Sequence, residues 1–437
     1  MGFSSWIAQQ VVTEDEFQIR LKKYGWLHYL FQFSLVNSCY RSMTSLLMYY
    51  ISLMFSLSIV IFHLFCYIKT ALNAYSFGRA DMSVANVHSV VLGIFIISVL
   101  TSYAIDKTKT SAIEQLYLES FLSYENEYPA PVTLFQKLMT LAGKMGIASG
   151  GMGLFFNVYV AAPMIDFRFW KESCVVKGIN FCLALPHYYP YNSEDGWSFY
   201  LTELFQLMFG VYRISVFCAV QVTLTVWPLH LIQELTRLKT SIEHLEERIK
   251  KRYHRITMRN VEKVNLITMC MDKTFNECAK FCINENISHH HNILKYHERI
   301  DGIMALPSFL AYTTGTLTMG IAMVKLLSVE GDTTLGGNLA YVTVLAAEIG
   351  FMLLISTMGE AVTIQAEEIF NEVSHIPIEN YDLEFRRNVI IFMEGTIKPI
   401  ALSSSKFNKC NMEAFGNVLN AAYSFYNVTS ASAKLEK

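Results

Sequence analysis

Residues Thr44–Ile68 read TSLLMYYISLMFSLSIVIFHLFCYI, 25 positions without one Asp, Glu, Lys or Arg. A helix of roughly 20 such residues crosses the hydrocarbon core of a bilayer, so this stretch alone predicts a membrane span. Comparable blocks recur outward from it, at about Val84–Ile105, Lys144–Met164, Phe199–Leu231, Ile303–Leu327, Asn338–Met358 and Asn411–Ser432. The composition agrees: of 437 residues, 52% are hydrophobic and only 16% charged, against about 25% charged in soluble domains. The fold class expected is an all-α membrane protein of seven transmembrane helices with cytoplasmic helical extensions. Trp26–Leu35 is apolar but too short to cross and fits an interfacial or re-entrant helix. The first 44 residues carry no short apolar core with a small-residue cleavage site, so no cleavable signal is expected.

Lys and Arg set the orientation. Of the 35, 24 lie in the amino-terminal segment, 106–144, 232–301 and 359–401, and 7 in the alternate set. The positive-inside rule places the amino terminus in the cytoplasm and, with seven spans, the carboxyl terminus outside. This is opposite to a receptor coupled to G proteins, whose D/E-R-Y and N-P-x-x-Y marks are also missing after the third and within the seventh span.

The expected organisation is a cytoplasmic segment 1–43, spans one to four over 44–231 with an outer loop at 165–198, and a cytoplasmic anchor at 232–301. Spans five and six follow over 302–358, then a second anchor segment 359–410 and a final helix with its tail, 411–437. In 232–301, Leu235, Leu238, Ile242, Leu245 and Ile249 recur at helical steps, so the fourth helix is predicted to continue past the membrane. A turn near Tyr253–Thr257 and a second periodic stretch, Val261 to Cys278, predict an antiparallel hairpin. Its apolar face is covered either within one subunit or by several subunits meeting there. The outer loop, with Pro186, Tyr188, Tyr189, Pro190, Tyr191 and Trp197, reads as an ordered cap in which a Cys174–Cys182 disulfide is an option.

On the last helix, Asn417, Asn420, Ser424, Asn427 and Ala431 fall at spacings of 3, 4, 3 and 4, one polar stripe opposite Phe415, Val418, Leu419 and Ala422. Such a stripe lines water or lets helices pack closely. In the outer halves of the spans, aromatic and small polar residues form candidate ligand positions: His88, Val91 and Phe95 on the second, and Phe155, Phe156 and Tyr159 on the third. Phe205, Phe209 and Tyr212 lie on the fourth, Tyr312 and Thr316 on the fifth, and Tyr341 on the sixth. An apolar pocket with a few polar groups suits a small hydrophobic ligand. Arg213 and Glu348 are charges within spans, functional candidates or pins that hold the bundle through a polar neighbour. Cys278, Cys282 and His289–His291 match no strong zinc spacing and read as packing residues. No phosphate loop or hydrolase motif appears, and no enzyme activity, cofactor or nucleic-acid partner is expected.

Three segments resemble the insect odorant receptor family, in order: MGEAVTIQAEEIF (Met358–Phe370), FRRNVIIFMEGTIKPIAL (Phe385–Leu402) and MEAFGNVLNAAYSFYNV (Met412–Val428). The resemblance implies a ligand-gated, non-selective cation channel in the plasma membrane of a sensory neuron, a tetramer of odorant-binding subunits with a shared co-receptor. It implies a pore lined by the seventh helix at Asn417, Asn420, Ser424 and Asn427, with Val428 as hydrophobic gate and Ser432 one turn beyond. It also implies odorant binding between the outer halves of the second to sixth spans. Glu394, where the family is often basic or amide, and the polar ending TSASAKLEK depart from the pattern, and the latter fits a ligand-tuning subunit that needs its co-receptor. A gustatory-type channel is the nearest alternative, though the final helix lacks that group's ending.

Overall fold

The computed structural model describes residues 27–36, 39–76, 80–105, 175–176, 178–180, 187–193, 196–258, 272–327, 335–404 and 408–435, with a few isolated positions besides. The helices α1 (Leu27–Ser34), α2 (Met43–Ser76) and α3 (Ala80–Ile105) come first. The strands β1 (Val175–Val176), β2 (Ile179–Asn180) and β3 (His187–Tyr188) follow, then α4 (Gly196–Glu243), α5 (Leu245–Thr257) and α6 (Lys273–Leu327). The chain ends with α7 (Leu335–Ser374), a 3-10 turn, α8 (Leu383–Thr396) and α9 (Met412–Leu435).

The protein is a helical membrane protein. Among the described residues, α2, α4 and the Leu345–Ser374 part of α7 are long and apolar enough to cross a bilayer, and Ser89–Tyr103 within α3 is a shorter apolar segment. The apolar block that opened the sequence extends to Ser76 as a helix, with Leu47, Ile51, Met54, Phe55, Ile61 and Phe65 on its exposed face. Opposite these, Leu46, Tyr49, Leu53 and Val60 pack inward. Residues expected in the third span, Lys144–Met164, lie outside the described residues except for Lys144 itself, as do Cys174 and Cys182.

Among the described residues, the outer loop contributes a three-stranded antiparallel sheet to an otherwise mainly helical chain. β1 and β2 pair antiparallel at Val176↔Ile179, and β2 pairs with β3 at Ile179↔Tyr188. Gly178 between the first two strands has φ +79, a region that side chains with a Cβ rarely adopt, and an added Cβ would also press on the Tyr188 ring at 3.1 Å. The Tyr188 N–H donates to Thr70 Oγ1 of α2 at 2.8 Å, and Gln206 of α4 donates to the Tyr189 hydroxyl at 2.8 Å. The aromatic loop is thereby fixed onto the outer ends of two helices.

At the other end, the 3.6-residue apolar period carries α4 beyond the membrane to Glu243. Leu235, Leu238, Ile242, Leu245 and Ile249 are all buried, each contributing about 1.5–3 kcal/mol relative to exposure in water. The turn expected near Tyr253–Thr257 begins just past that stretch. α5 runs to Thr257 and stops at Met258, whose φ of 56 is left-handed; the one-residue break at His244 between α4 and α5 keeps the helical hydrogen bonds His244 N–H to Thr240 O and Arg248 N–H to His244 O. Position 258 carries neither Gly nor Pro, so local composition gave no marker for the stop. The returning arm is α6, described from Lys273, and residues 261–271 lie outside the described part.

The two arms pair antiparallel through buried polar groups. Ser241 Oγ donates to Asn286 Oδ1 at 2.7 Å, and Arg248 Nη1 donates to the same oxygen at 2.9 Å while Nη2 pairs with Glu285. Nearer the membrane, Glu234 meets Arg237 at 2.7 Å and His289 Nε2 at 3.2 Å. The end of α7 joins through Thr236–Gln365 and Lys239–Glu368, and α8 through Lys280–Asp382 and Asn388–Asn284. Asp382 also caps α8 by accepting the Phe385 N–H at 3.0 Å. Within the subunit, then, the arms are covered by α7 and α8.

Candidate ligand site and pore helix

Phe205, Phe209 and Tyr212 recur at steps of four and three, so they share one face of α4. That face meets α2 and the outer loop. His63 stacks on Phe209 with ring centroids 3.9 Å apart and lies 5.2 Å from Phe205, also stacked. One turn outward, Tyr67 contacts His187 of β3 edge-to-face at 4.5 Å and accepts a hydrogen bond from Arg213 Nη1 at 3.2 Å. Arg213 thus has the polar neighbour on another helix that the sequence left as an option, and its guanidinium stands 5.8 Å from the Phe209 centroid. Tyr212 points the other way round the face, toward Phe33 of α1 at 6.3 Å. His63 and Tyr67 were missed in the sequence. The available signal was a His and a Tyr four residues apart inside an otherwise apolar span.

The other candidate ligand residues do not all join this cluster. Phe95 is buried on α3, a helix that packs against α2 and α6, and Val91 is half-buried on the same helix. Tyr312 and Thr316 belong to a different level. The Tyr312 hydroxyl bonds Ser356 Oγ of α7 at 2.6 Å, and Thr316 Oγ1 donates to the Tyr312 carbonyl at 2.8 Å. Ser356 is one turn from Gly359, which touches the base of α9, so this pair sits near the inner end of the bundle rather than beside Phe205. The side chains of His88 and Tyr341, and the whole of Phe155, Phe156 and Tyr159, lie outside the described residues.

α9 begins at a built seat. Asn411 Oδ1 accepts the Ala414 N–H at 2.9 Å, an N-cap, and Cys410 N–H donates to the Leu402 carbonyl at 2.8 Å. A Cβ added at Gly359 would lie 1.9 Å from the Cys410 carbonyl oxygen, and one added at Gly320 of α6 would lie 2.7 Å from the Phe425 ring. Both glycines are therefore places of close helix approach. Val418, 9% exposed, and Ala422, 0% exposed, turn inward against this seat. Asn417, Asn420, Ser424 and Asn427 are exposed on the opposite side, and Val428 is 68% exposed beside them. The Ser424 hydroxyl turns back onto the Asn420 carbonyl at 2.8 Å. The side chain of Ser432 lies outside the described residues.

In the anchor, Cys278 and Cys282 are buried, His289 is taken by Glu234, and His290 packs edge-on to Phe392 at 5.5 Å. Burial pulls the His290 imidazole down to about 4, and His289 and His291 beside it add to this. Burial also raises the Cys278 thiol. Among the described residues no group of three or more His, Cys, Asp or Glu is placed to hold a metal ion.

The model of the family described as 7tm Odorant receptor matches residues 147–423. Among solved structures, the chain is similar to the insect olfactory receptor OR5 from Machilis hrabei in complex with eugenol, with a TM-score of 0.71 and 10% identity. That alignment covers 95% of this chain and 99% of the other. The same receptor without that description of a ligand gives a TM-score of 0.70, with equal identity and coverage. A comparison with curated protein sequences gives no match.

Proposed function

This chain belongs to the 7tm odorant receptor family, and from that premise we propose that it is an odorant-gated, non-selective cation-channel subunit. The observation that carries the reading is the α9 surface. A membrane helix with one face sealed onto its own bundle and a row of three Asn and a Ser exposed on the other is costly against lipid. It is satisfied when copies of that face meet around water. In this reading α9 lines the pore in a heterotetramer with a shared co-receptor in the plasma membrane of a sensory neuron, and the anchor helices hold the subunits together. The chain is the subunit that tunes ligand choice.

A small apolar ligand binds in the outer half of the bundle, where His63, Phe205 and Phe209 supply aromatic walls, and favours the arrangement in which the outer ends of α9 separate. Only a difference in affinity between closed and open arrangements can move that equilibrium. Val428 closes the path by dewetting. Val428→Ala is expected to leak cation current without ligand; a variant that closes as tightly as the parent removes the gate assignment. The reading as a whole is tested by co-expressing the chain with the co-receptor and applying an odorant panel. Evoked cation current supports it, and none with normal surface expression contradicts it.

A further inference from the structure

Three Asp, Glu, Lys or Arg side chains are nine-tenths buried or more among the described residues: Glu234, Arg248 and Glu348. The first two are enclosed in the anchor networks of ion pairs and hydrogen bonds. Glu348, 8% exposed and within the membrane part of α7, meets no donor or cation among the described residues. A carboxylate left this way is expensive to keep, and no pinning neighbour stands among the described residues.

Its place in the bundle is fixed by the contacts one turn inward. Phe351 meets Phe217 of α4 with ring centroids 5.0 Å apart, and Met352 lies against Gly315 of α6, where an added Cβ would come within 3.3 Å. Glu348 precedes these by three and four residues, so it projects from α7 between them, over the seam of α4 and α6. α6 and α7 run antiparallel, with Tyr312 beside Ser356 and Gly315 beside Met352. The same pairing carried one turn outward brings the Thr318–Met319 step of α6 to the level of Glu348. Thr318 is also buried, and its Oγ1 has no hydrogen-bond partner among the described residues. Two buried polar groups on facing helices are thus left open at one level, above a pair of aromatic rings.

We propose that this seam takes the ammonium group of a small amine ligand, with Glu348 as its counter-ion, Thr318 as a second hydrogen-bond partner and the Phe217–Phe351 pair as its aromatic floor. A cation satisfies the carboxylate where a neutral donor would leave its charge uncompensated, and aromatic rings at the next level favour a cation in addition. The inference rests on the ligand-gated reading above and gives it a ligand class.

The test compares matched pairs, such as phenethylamine with phenethyl alcohol and isoamylamine with isoamyl alcohol, at neutral pH in cells that also express the co-receptor. The parent is expected to respond to each amine at lower concentration than to its alcohol. Glu348→Gln is expected to raise the half-maximal amine concentration roughly 10- to 100-fold, the scale of losing one charge-assisted contact, while alcohol responses stay within a few-fold. Glu348→Asp should keep part of the amine preference. A parent that responds to alcohols and shows no amine preference overturns the inference without reference to any variant, and so does an amine preference unchanged in Glu348→Gln. Silence to both classes with the subunit at the surface counts instead against the channel reading, and the inference falls with it.

Discussion

Gly359→Ala is expected to abolish evoked current, while Gly350→Ala, nine residues earlier in the same helix, leaves it intact. A Cβ at Gly359 would stand 1.9 Å from the Cys410 carbonyl oxygen and 2.8 Å from its carbon, whereas nothing lies within 4 Å of the corresponding atom at Gly350. Real Cβ atoms do not approach backbone so closely, and the obstructing group is main chain held by the Cys410–Leu402 hydrogen bond. It cannot rotate away as a side chain would. α7 and the base of α9 must separate, at a cost at or above the about 1–3 kcal/mol typical of overpacking. At Gly350 the substitution should be neutral or stabilise the helix by about 0.5–1 kcal/mol through lower backbone freedom. Whole-cell current normalised to surface protein checks both. Equal behaviour of the two variants would mean that the Gly359 contact does not seat α9.

The second large effect belongs to the anchor. Arg248 is 2% exposed, and its guanidinium is shared among Ser241, Asn286 and Glu285. Arg248→Ala is expected to destabilise the protein by about 3–5 kcal/mol, because it leaves buried polar partners behind and opens a space on the hairpin axis. Surface protein and the thermal midpoint of the detergent-solubilised chain should both fall sharply. Lys250→Ala, two residues on, removes an exposed pair with Glu246 and should cost no more than about 0.5 kcal/mol. If the two substitutions behave alike, the buried network is not what holds the arms together.

These two sites mark the limit of what could be read in the sequence. The spans were legible because uncharged apolar blocks of bilayer length have few other solutions. The anchor arm was legible because Leu235, Leu238, Ile242 and Ile249 keep the helical period, and all four are buried. Arg248 and Glu234 were not, since a charge on a periodic helix ordinarily faces water, and their partners on α6 lie 37 to 55 residues away. The stop at Met258 carried no Gly or Pro, so it was placed too early. Tyr312 was assigned to the outer half because α6 is one continuous helix of 55 residues. Nothing local marks where such a helix enters the bilayer. On α4, Phe205 and Phe209 share His63 as a neighbour while Tyr212 turns toward Phe33, and the neighbour across the gap was not legible. His63 and Tyr67 come from the most uniformly apolar span, where pattern gives least guidance about which side faces inward.

The polar stripe of the last helix stood out in sequence because its period matched one helix face, and the exposed side of α9 carries the same residues. Its meaning as an ion path is tested most directly by cysteine accessibility. Asn420→Cys, Ser424→Cys and Ala422→Cys, each expressed with the co-receptor, are exposed to a charged, water-soluble thiol reagent during odorant application. The account predicts that current through the Asn420→Cys and Ser424→Cys channels is blocked as the thiols are modified, while Ala422→Cys, sealed against the bundle, is untouched. Unchanged current at both stripe positions, in channels that reach the surface and respond to odorant, would contradict it.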